Sequence, residues 1–257
     1  SVSAFQRCPF LWRQTFGRKK TEGPGPGYLQ TGSAVHAALA VHYVRCMNPG
    51  YPLEPLALLD ELRDLNVDPE IVAEAYRLVV AYFGHYSTDW IIPLAVEHRI
   101  ADPKTGDSCR WDLIVQIDLP PPGLMPGVYT TDHKTSGRFD QATLKGWHND
   151  GGVLQQIDLY DRLKVEKRFG KLQGHLINMI GKQIKPKFER IFVPPLPATI
   201  RDHRKSLRVW NATINLAREM NHFPRSRGNC IHRYGKCALY DHCAGHSSSD
   251  VVTTEDA

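Results

Sequence analysis

The sequence predicts a mixed α/β domain with helical additions, and three observations support this fold class. Apolar residues recur at helical spacing through the first third of the chain, strand-like segments follow from residue 94, and helical spacing returns after residue 152. Runs of helices and strands in this order are typical of a sheet with helices packed around it. A chain of 257 residues is also long enough to bury a sizeable core.

The first third of the chain is predicted to be helical. An amphipathic segment at 3–16 ends in a loop at 21–27, where Gly and Pro interrupt any regular structure. Asp68 is a plausible N-cap for the third helix, and Pro69 suits its first turn. The predicted helices cover residues 32–45, 56–65 and 69–86.

The middle of the chain changes to strand patterns, and helices return towards the end. A turn at 102–106 and a loop at 120–126 separate the first three predicted strands. The chain beyond residue 245 is polar and is predicted to be a disordered tail. The predicted strands cover 94–100, 110–117, 128–134, 172–182 and 188–193, and the predicted helices cover 152–169 and 199–220.

Composition restricts the classes of function. The chain has no apolar run long enough to cross a membrane and no secretion-signal pattern at its start, so we expect a cytoplasmic protein of a bacterial, archaeal or phage-infected cell. No phosphate-binding Gly-Lys-Ser/Thr loop is present, so any helicase would be a partner protein. The net charge of +5 is mildly basic and by itself only weakly favours a polyanionic partner.

Basic residues form several clusters along the chain. Each cluster alone is equally well explained as a solvent-exposed basic face. Several clusters together, however, could line a groove that binds a phosphate backbone. The cluster that follows the predicted helix at 152–169 supplies the predicted DNA contacts, which would not read base sequence. These predicted contacts are Lys182, Lys185, Lys187 and Arg190.

Two carboxylates and a lysine form the central chemical motif. Asp112 lies on one predicted strand, and Asp132 and Lys134 lie at the end of the next, where residues two apart share a face. Carboxylates can hold Mg²⁺ or Mn²⁺, and the metal and the ammonium group together suit phosphodiester hydrolysis. The alternative is that Asp and Lys are simply common residues at strand ends.

Five short motifs follow one another along the chain: Gly32-Ser-Ala-Val-His36, Glu97, Asp112, Asp132-His-Lys134-Thr135 and Gln156-Ile-Asp-Leu-Tyr160. In this order they resemble the PD-(D/E)xK nucleases, specifically the RecB-like exonuclease branch with its CRISPR-associated four-cysteine nucleases. One departure is that Asp112 follows Cys109-Arg-Trp, where the family usually has a Gly-x-x pattern.

The resemblance implies a fold and a set of roles. It implies a restriction-endonuclease-like mixed central sheet with flanking helices, and metal binding by His36, Asp112, Asp132 and, more weakly, Glu97. It also implies that Gln156 and Tyr160, one helical turn apart, face the DNA and join the catalytic group with Asp112, Asp132 and Lys134. Each of these residues has a structural alternative, such as a packed core histidine at position 36 or a core tyrosine at position 160.

The cysteines suggest a second candidate site. Three of six are crowded near the C-terminus, which suggests a metal site in a reducing compartment. The resemblance implies a 4Fe–4S cluster on Cys8, Cys230, Cys237 and Cys243, although the first C-terminal gap is longer than in the family. Nearby histidines keep a Zn²⁺ site open as the alternative. Cys46 and Cys109 are interpreted as buried thiols.

The resemblance also implies a function and a division of the chain. It implies a Mg²⁺- or Mn²⁺-dependent exonuclease acting on single-stranded DNA ends in recombination, phage DNA processing or CRISPR adaptation, with a helicase, recombination or CRISPR protein or a second copy as partner. A structure-specific endonuclease and a non-catalytic DNA-binding module are the alternatives. The predicted parts are a helical part at 1–90, a nuclease core at 91–195, a C-terminal helix with the cysteines at 196–245, and a tail at 246–257.

Overall fold

The computed structural model describes most of the chain. The described residues are 2–14, 27–48, 68–87, 90–226, 231–232 and 235–236. The helix predicted at 56–65, most of the loop at 21–27, three of the four cluster cysteines and the polar tail lie outside these residues.

A five-stranded mixed sheet forms the centre of the described chain, as predicted. The strands lie in the order β1-β2-β3-β4-β5. Neighbouring strands are antiparallel except β3 and β4, which are parallel and are joined through helices. The strands are β1 (Ile92–Ala101), β2 (Ser108–Ile117), β3 (Gly127–Ser136), β4 (Leu172–Gly181) and β5 (Lys187–Val193).

Helices flank the sheet and form the N-terminal part. Asp68 caps α4 as predicted, because its carboxylate accepts a hydrogen bond from the Glu70 amide. The helices are α1 (Val2–Arg7), α2 (Pro9–Trp12), α3 (Gly27–Cys46), α4 (Pro69–His85), α5 (Gln141–Gly146), α6 (Gly151–Arg162), α7 (Glu166–Phe169) and α8 (Pro197–Glu219). A 3₁₀ turn covers Trp147–Asn149, and a two-residue strand pair, Ile231–His232 with Gly235–Lys236, lies near the C-terminus.

Two helical features differ from the sequence prediction. The helix predicted at 152–169 is divided into α6 and α7, because Lys164 adopts a left-handed backbone with φ of 56°. The short helix α5 was not predicted, since six residues contain too little periodicity to reveal it; its first turn is capped by Asp140, which accepts from the Thr143 amide.

The core lies on both faces of the sheet. Leu113, Val115 and Ile117 alternate along β2 and pack with α3 and α4. Ile177 and Met179 of β4 pack with the helices α5 and α6 and the start of α8. This two-sided burial leaves β4 with no exposed residue.

The chain divides into two compact units. One consists of Ser1–Gly23 with Arg204–Ala257, and the other consists of Pro24–His203 and contains the whole five-stranded sheet. The first unit has its own apolar cluster, in which Phe5 and Trp12 pack with Ile214 and Ala217. Within the described ranges, no helix has the length and apolar character needed to span a membrane.

Candidate active site

The predicted carboxylates lie where β2 and β3 separate. Leu113 pairs with Thr131 in the sheet, and the next position on the two strands is occupied by Asp112 and Asp132. Both side chains are only 5% exposed. The structure therefore brings together two residues that are twenty positions apart in sequence, at the point where the strand ladder ends.

Asp112 is held by two groups from different elements. Its Oδ2 accepts a hydrogen bond from the backbone amide of His133 at 2.7 Å and lies 3.2 Å from Nδ1 of His36 on α3. Burial raises the pKa of Asp112, but the bond and charge of His36, the His133 amide and the Lys134 ammonium together lower it below its usual value. Asp112 is therefore a buried carboxylate that is ionised at neutral pH.

A glycine allows α3 to deliver His36 to this position. A Cβ at Gly32 would lie 3.0 Å from the hydroxyl oxygen of Thr135, so the glycine lets the start of α3 lie close to the end of β3 without displacing that side chain. His36 follows one turn later on the same helix and remains 22% exposed. The predicted Gly32-to-His36 motif thus has a direct packing basis.

Lys134 forms an ion pair with the second carboxylate. Residues 132 and 134 share a face of β3, and the Lys134 ammonium contacts Oδ2 of Asp132. The same ammonium lies 5.8 Å from the ring centre of Trp147 in the 3₁₀ turn, within cation–π range. Lys134 is 31% exposed, so this positive charge is available both to Asp132 and to a molecule that enters from solvent.

Glu97 lies beside the site in a strained backbone. Val96 pairs with Leu113 and His98 with Trp111, which places Glu97 opposite Asp112. Its φ of 49° is left-handed, an uncommon conformation for a residue with a side chain. Burial raises the pKa of Glu97, the ion pair with Arg110 at 2.8 Å opposes this, and the charge of Asp112 adds to the rise.

A buried polar network lies behind the site. The ring of His133 is 1% exposed and points away from Asp132 and Lys134, as strand alternation predicts, towards Asn178 of β4 at 3.2 Å. Asn178 donates to the Tyr82 hydroxyl at 3.2 Å and accepts from the Arg190 guanidinium at 2.8 Å. Because the His133 amide holds Asp112, this network helps to fix the backbone that orients a site carboxylate.

Two of the predicted catalytic residues lie on α6. Tyr160 is 1% exposed, packs edge-on against Trp111 and donates a hydrogen bond to the Gly170 carbonyl at 2.8 Å. This is the packing of a core tyrosine, and the structure records no contact between it and the site carboxylates. Gln156 is half-buried, and its Oε1 is a buried acceptor without a hydrogen-bond partner among the described residues.

The predicted DNA contacts are divided by the structure. Lys185 and Lys187 are exposed at the β4–β5 hairpin, and Lys182 is half-buried. Arg190 instead packs inward, with its guanidinium carbon 3.9 Å from the Tyr86 ring centre and 4.9 Å from that of Trp90. Sequence pattern could not separate these cases, because a basic residue on an edge strand is as compatible with stacking as with solvent.

The described cysteines give a mixed result. Cys8 is buried and caps α2, with its sulfur 3.5 Å from the Leu11 amide; Cys230, Cys237 and Cys243 lie outside the described residues. The interpretation of Cys46 as a buried thiol is wrong, since it is exposed at the last residue of α3. Cys109 is half-buried, and burial together with the charge of Asp132 raises its pKa to about 12.

The donor groups fit one kind of cation site. Among the residues that the structure describes, no three His, Cys, Asp or Glu side chains converge into a complete metal cage. Asp112 and Asp132 nevertheless offer hard oxygen ligands at neighbouring positions, and Mg²⁺ is commonly held by one or two carboxylates together with water and substrate phosphate. The set fits a divalent cation that shares its ligands with a substrate.

Comparison with known proteins supports the fold. The chain is similar to the crystal structure of a protein from Eubacterium rectale described as a "putative exonuclease", with 15% sequence identity and a TM-score of 0.52. The match covers 97% of this chain and 88% of that chain. No protein-family model matches the sequence, and no curated protein matches it. The mixed sheet with its flanking helices is therefore a fold that this chain shares with that protein.

Proposed function

We propose that this chain is a nuclease that hydrolyses phosphodiester bonds of DNA with the help of Mg²⁺ or Mn²⁺. The observation that carries the proposal is the placement of Asp112 and Asp132 side by side where β2 and β3 separate, with Lys134 in contact with Asp132. The Eubacterium rectale protein of similar fold, described as a "putative exonuclease", supports the same class of activity.

The electrostatics of the site favour a cationic ligand. Two carboxylates that are each 5% exposed repel one another, and ionised carboxylates are unfavourable in a buried position unless positive charge lies nearby. Lys134 supplies part of that charge and is itself partly exposed. A divalent cation would supply the rest while keeping an open side for substrate.

Each residue has a distinct role in the proposed reaction. Asp112 and Asp132 would hold the cation through oxygen, and His36 would either add a nitrogen ligand or keep Asp112 ionised and oriented. When bound, the cation lowers the pKa of a water molecule and stabilises charge on the phosphodiester. Lys134 orients the attacking water or a phosphate oxygen through its ammonium group, which Asp132 holds in place.

The substrate is proposed to be single-stranded DNA with a free end. The described chain contains no separate helix-turn-helix or other base-reading module beside the sheet, which favours contacts to the backbone over sequence-specific recognition. Exposed Lys185 and Lys187 on the β4–β5 hairpin are proposed to contact phosphates.

The proposal is tested by degradation of end-labelled linear single-stranded DNA with Mg²⁺, with Mn²⁺ and with chelator. Asp112→Asn and Asp132→Asn keep the shape of the side chain and remove its charge. We expect each to lower the rate on the order of 10²-fold, since losing about 3 kcal/mol of transition-state stabilisation has that effect. Asp118→Asn is the matched control, because Asp118 is exposed at the end of β2.

A circular single-stranded substrate separates the modes of cleavage. An exonuclease leaves the circle intact and degrades the linear form, whereas an endonuclease cuts both. Absence of metal-dependent cleavage by the folded wild-type chain, or equal rates in the Asn variants, would contradict the proposal and leave a DNA-binding module as the alternative.

A further inference from the structure

Two arginines lie directly opposite each other on the β1–β2 hairpin. Arg99 of β1 pairs with Arg110 of β2, and both side chains are exposed. Like charges at opposed positions of an antiparallel pair destabilise the sheet. The opposed arginines therefore do not stabilise the sheet. Their position beside the candidate active site points to a functional role instead.

The two positive charges are incompletely neutralised. Arg110 forms one ion pair, from Nη1 to Glu97 at 2.8 Å, which leaves its other donors available. Among the described residues, no carboxylate lies within ion-pair distance of the Arg99 guanidinium. The pair therefore presents a net positive patch that Glu97 orients but does not cancel.

The two arginines line an open groove at the β1–β2 hairpin. The groove has a volume of about 550 Å³ and is lined by residues 99–101 and 108–110. Side chains two apart on a strand share a face, so Arg110 and Asp112 point the same way along β2, about 7 Å apart. An anion bound by Arg110 would therefore lie on the same side of β2 as Asp112.

We propose that Arg99 and Arg110 form a phosphate-binding subsite for the nucleic-acid strand, at a backbone phosphate next to the one that is cleaved. The inference rests on the proposed function, since it places the subsite in relation to Asp112. Two guanidinium groups side by side can each offer paired N–H donors to phosphate oxygens, a geometry that lysines cannot reproduce. The contact would be independent of base sequence.

The test is direct binding, so that it does not depend on cleavage. A fluorescent single-stranded oligonucleotide is titrated with the full chain in chelator, and its anisotropy is followed. Arg99→Ala and Arg110→Ala should each weaken binding roughly tenfold. Each should also reduce the slope of log affinity against log salt by about one contact. Arg99→Lys should recover part of the affinity.

Arg201→Ala is the matched control, because Arg201 is exposed on α8, away from the hairpin. Its binding curve should follow the wild type. Equal binding by the wild type and the Arg99→Ala/Arg110→Ala variant would overturn the subsite, as would an equal loss in Arg201→Ala. Displacement of the oligonucleotide by polyglutamate as effectively as by unlabelled DNA would overturn the assignment to phosphate.

The two proposals can fail separately. If the chain binds DNA through the arginines and does not cleave it, the subsite stands and the nuclease function is refuted. If the chain cleaves DNA while the arginine variants keep the wild-type KM and affinity, the nuclease function stands and the subsite is refuted.

Discussion

We expect this fold to lose stability as the pH falls from 6.5 towards 4, because His175 is buried in a form that resists protonation. The side chain is 0% exposed on β4, and its Nδ1 lies 2.8 Å from the Thr130 hydroxyl. Its Nε2 has no hydrogen-bond partner among the described residues. Burial lowers the pKa of His175 from 6.5 to about 4.

The size and sign of the effect follow from the two states of the chain. At pH 7 His175 is neutral in the folded chain and mostly neutral in the unfolded chain, so its protonation changes stability little. Below pH 6.5 only the unfolded chain takes up the proton, so unfolding becomes more favourable until the folded chain is protonated as well near pH 4. At about 1.4 kcal/mol for each pH unit, the loss amounts to roughly 3 kcal/mol, a large share of the 5–15 kcal/mol or so by which domains are stable.

The measurement is the free energy of unfolding in urea, followed by tryptophan fluorescence at several pH values between 7 and 4.5. The buried ring of His133 also has a lowered pKa through burial and adds a loss of the same sign. The test is therefore the difference in slope between the wild type and His175→Gln. The variant is expected to be less stable at pH 7, because it loses the packing of the ring, but to lose less on acidification.

His148→Gln is the matched control. His148 is exposed in the 3₁₀ turn, so its side chain meets similar solvent in the folded and unfolded chains. The free energy of unfolding of the His148→Gln variant should vary with pH as that of the wild type does. Parallel stability curves for the wild type and His175→Gln would refute the assignment of a suppressed protonation to His175.

Two further predictions concern packing and the cysteines. A Cβ at Gly174 would collide with the Phe192 ring and lie 3.0 Å from the Val193 carbonyl oxygen, so Gly174→Ala should destabilise the chain by about 1–3 kcal/mol in urea unfolding. Gly84→Ala, on α4 with no atom within 4 Å of the new Cβ, should stabilise it by about 0.5–1 kcal/mol, and the same sign for both would contradict this account. If Cys8 and the three C-terminal cysteines hold the 4Fe–4S cluster that the sequence resemblance implies, anaerobically purified chain should be brown and contain four iron and four sulfide ions per chain. Replacement of Cys8 by Ser should then remove the colour, whereas a colourless chain containing zinc would identify the alternative site.

Hydrophobic periodicity predicted the sheet well. The strand predicted at 110–117 is observed as Ser108–Ile117, and that predicted at 188–193 as Lys187–Val193. Helix α4, predicted at 69–86, is observed as Pro69–His85. These elements were predictable because each buries one side, and the apolar residues on that side recur at a regular spacing within a short stretch of sequence.

The pattern could not predict features that depend on backbone conformation or on strand register. Nothing in the local sequence requires the left-handed backbone of Glu97 or Lys164, since neither residue is a glycine. Likewise, the i and i+4 spacing of Gln156 and Tyr160 defines a shared helical region but not the layer packed over it. The structure places Tyr160 against Trp111, within the core.

The sequence by itself determined the order and type of the elements and the residue types of the candidate site, because periodicity and short motifs are local. Only the tertiary structure decided which of those residues meet: Asp112 with Asp132, His36 with Asp112, and Arg99 with Arg110. Each of these pairs joins different elements, and its distance depends on strand register and on how closely α3 approaches the sheet. A one-residue shift in register would preserve every local pattern and separate the two carboxylates.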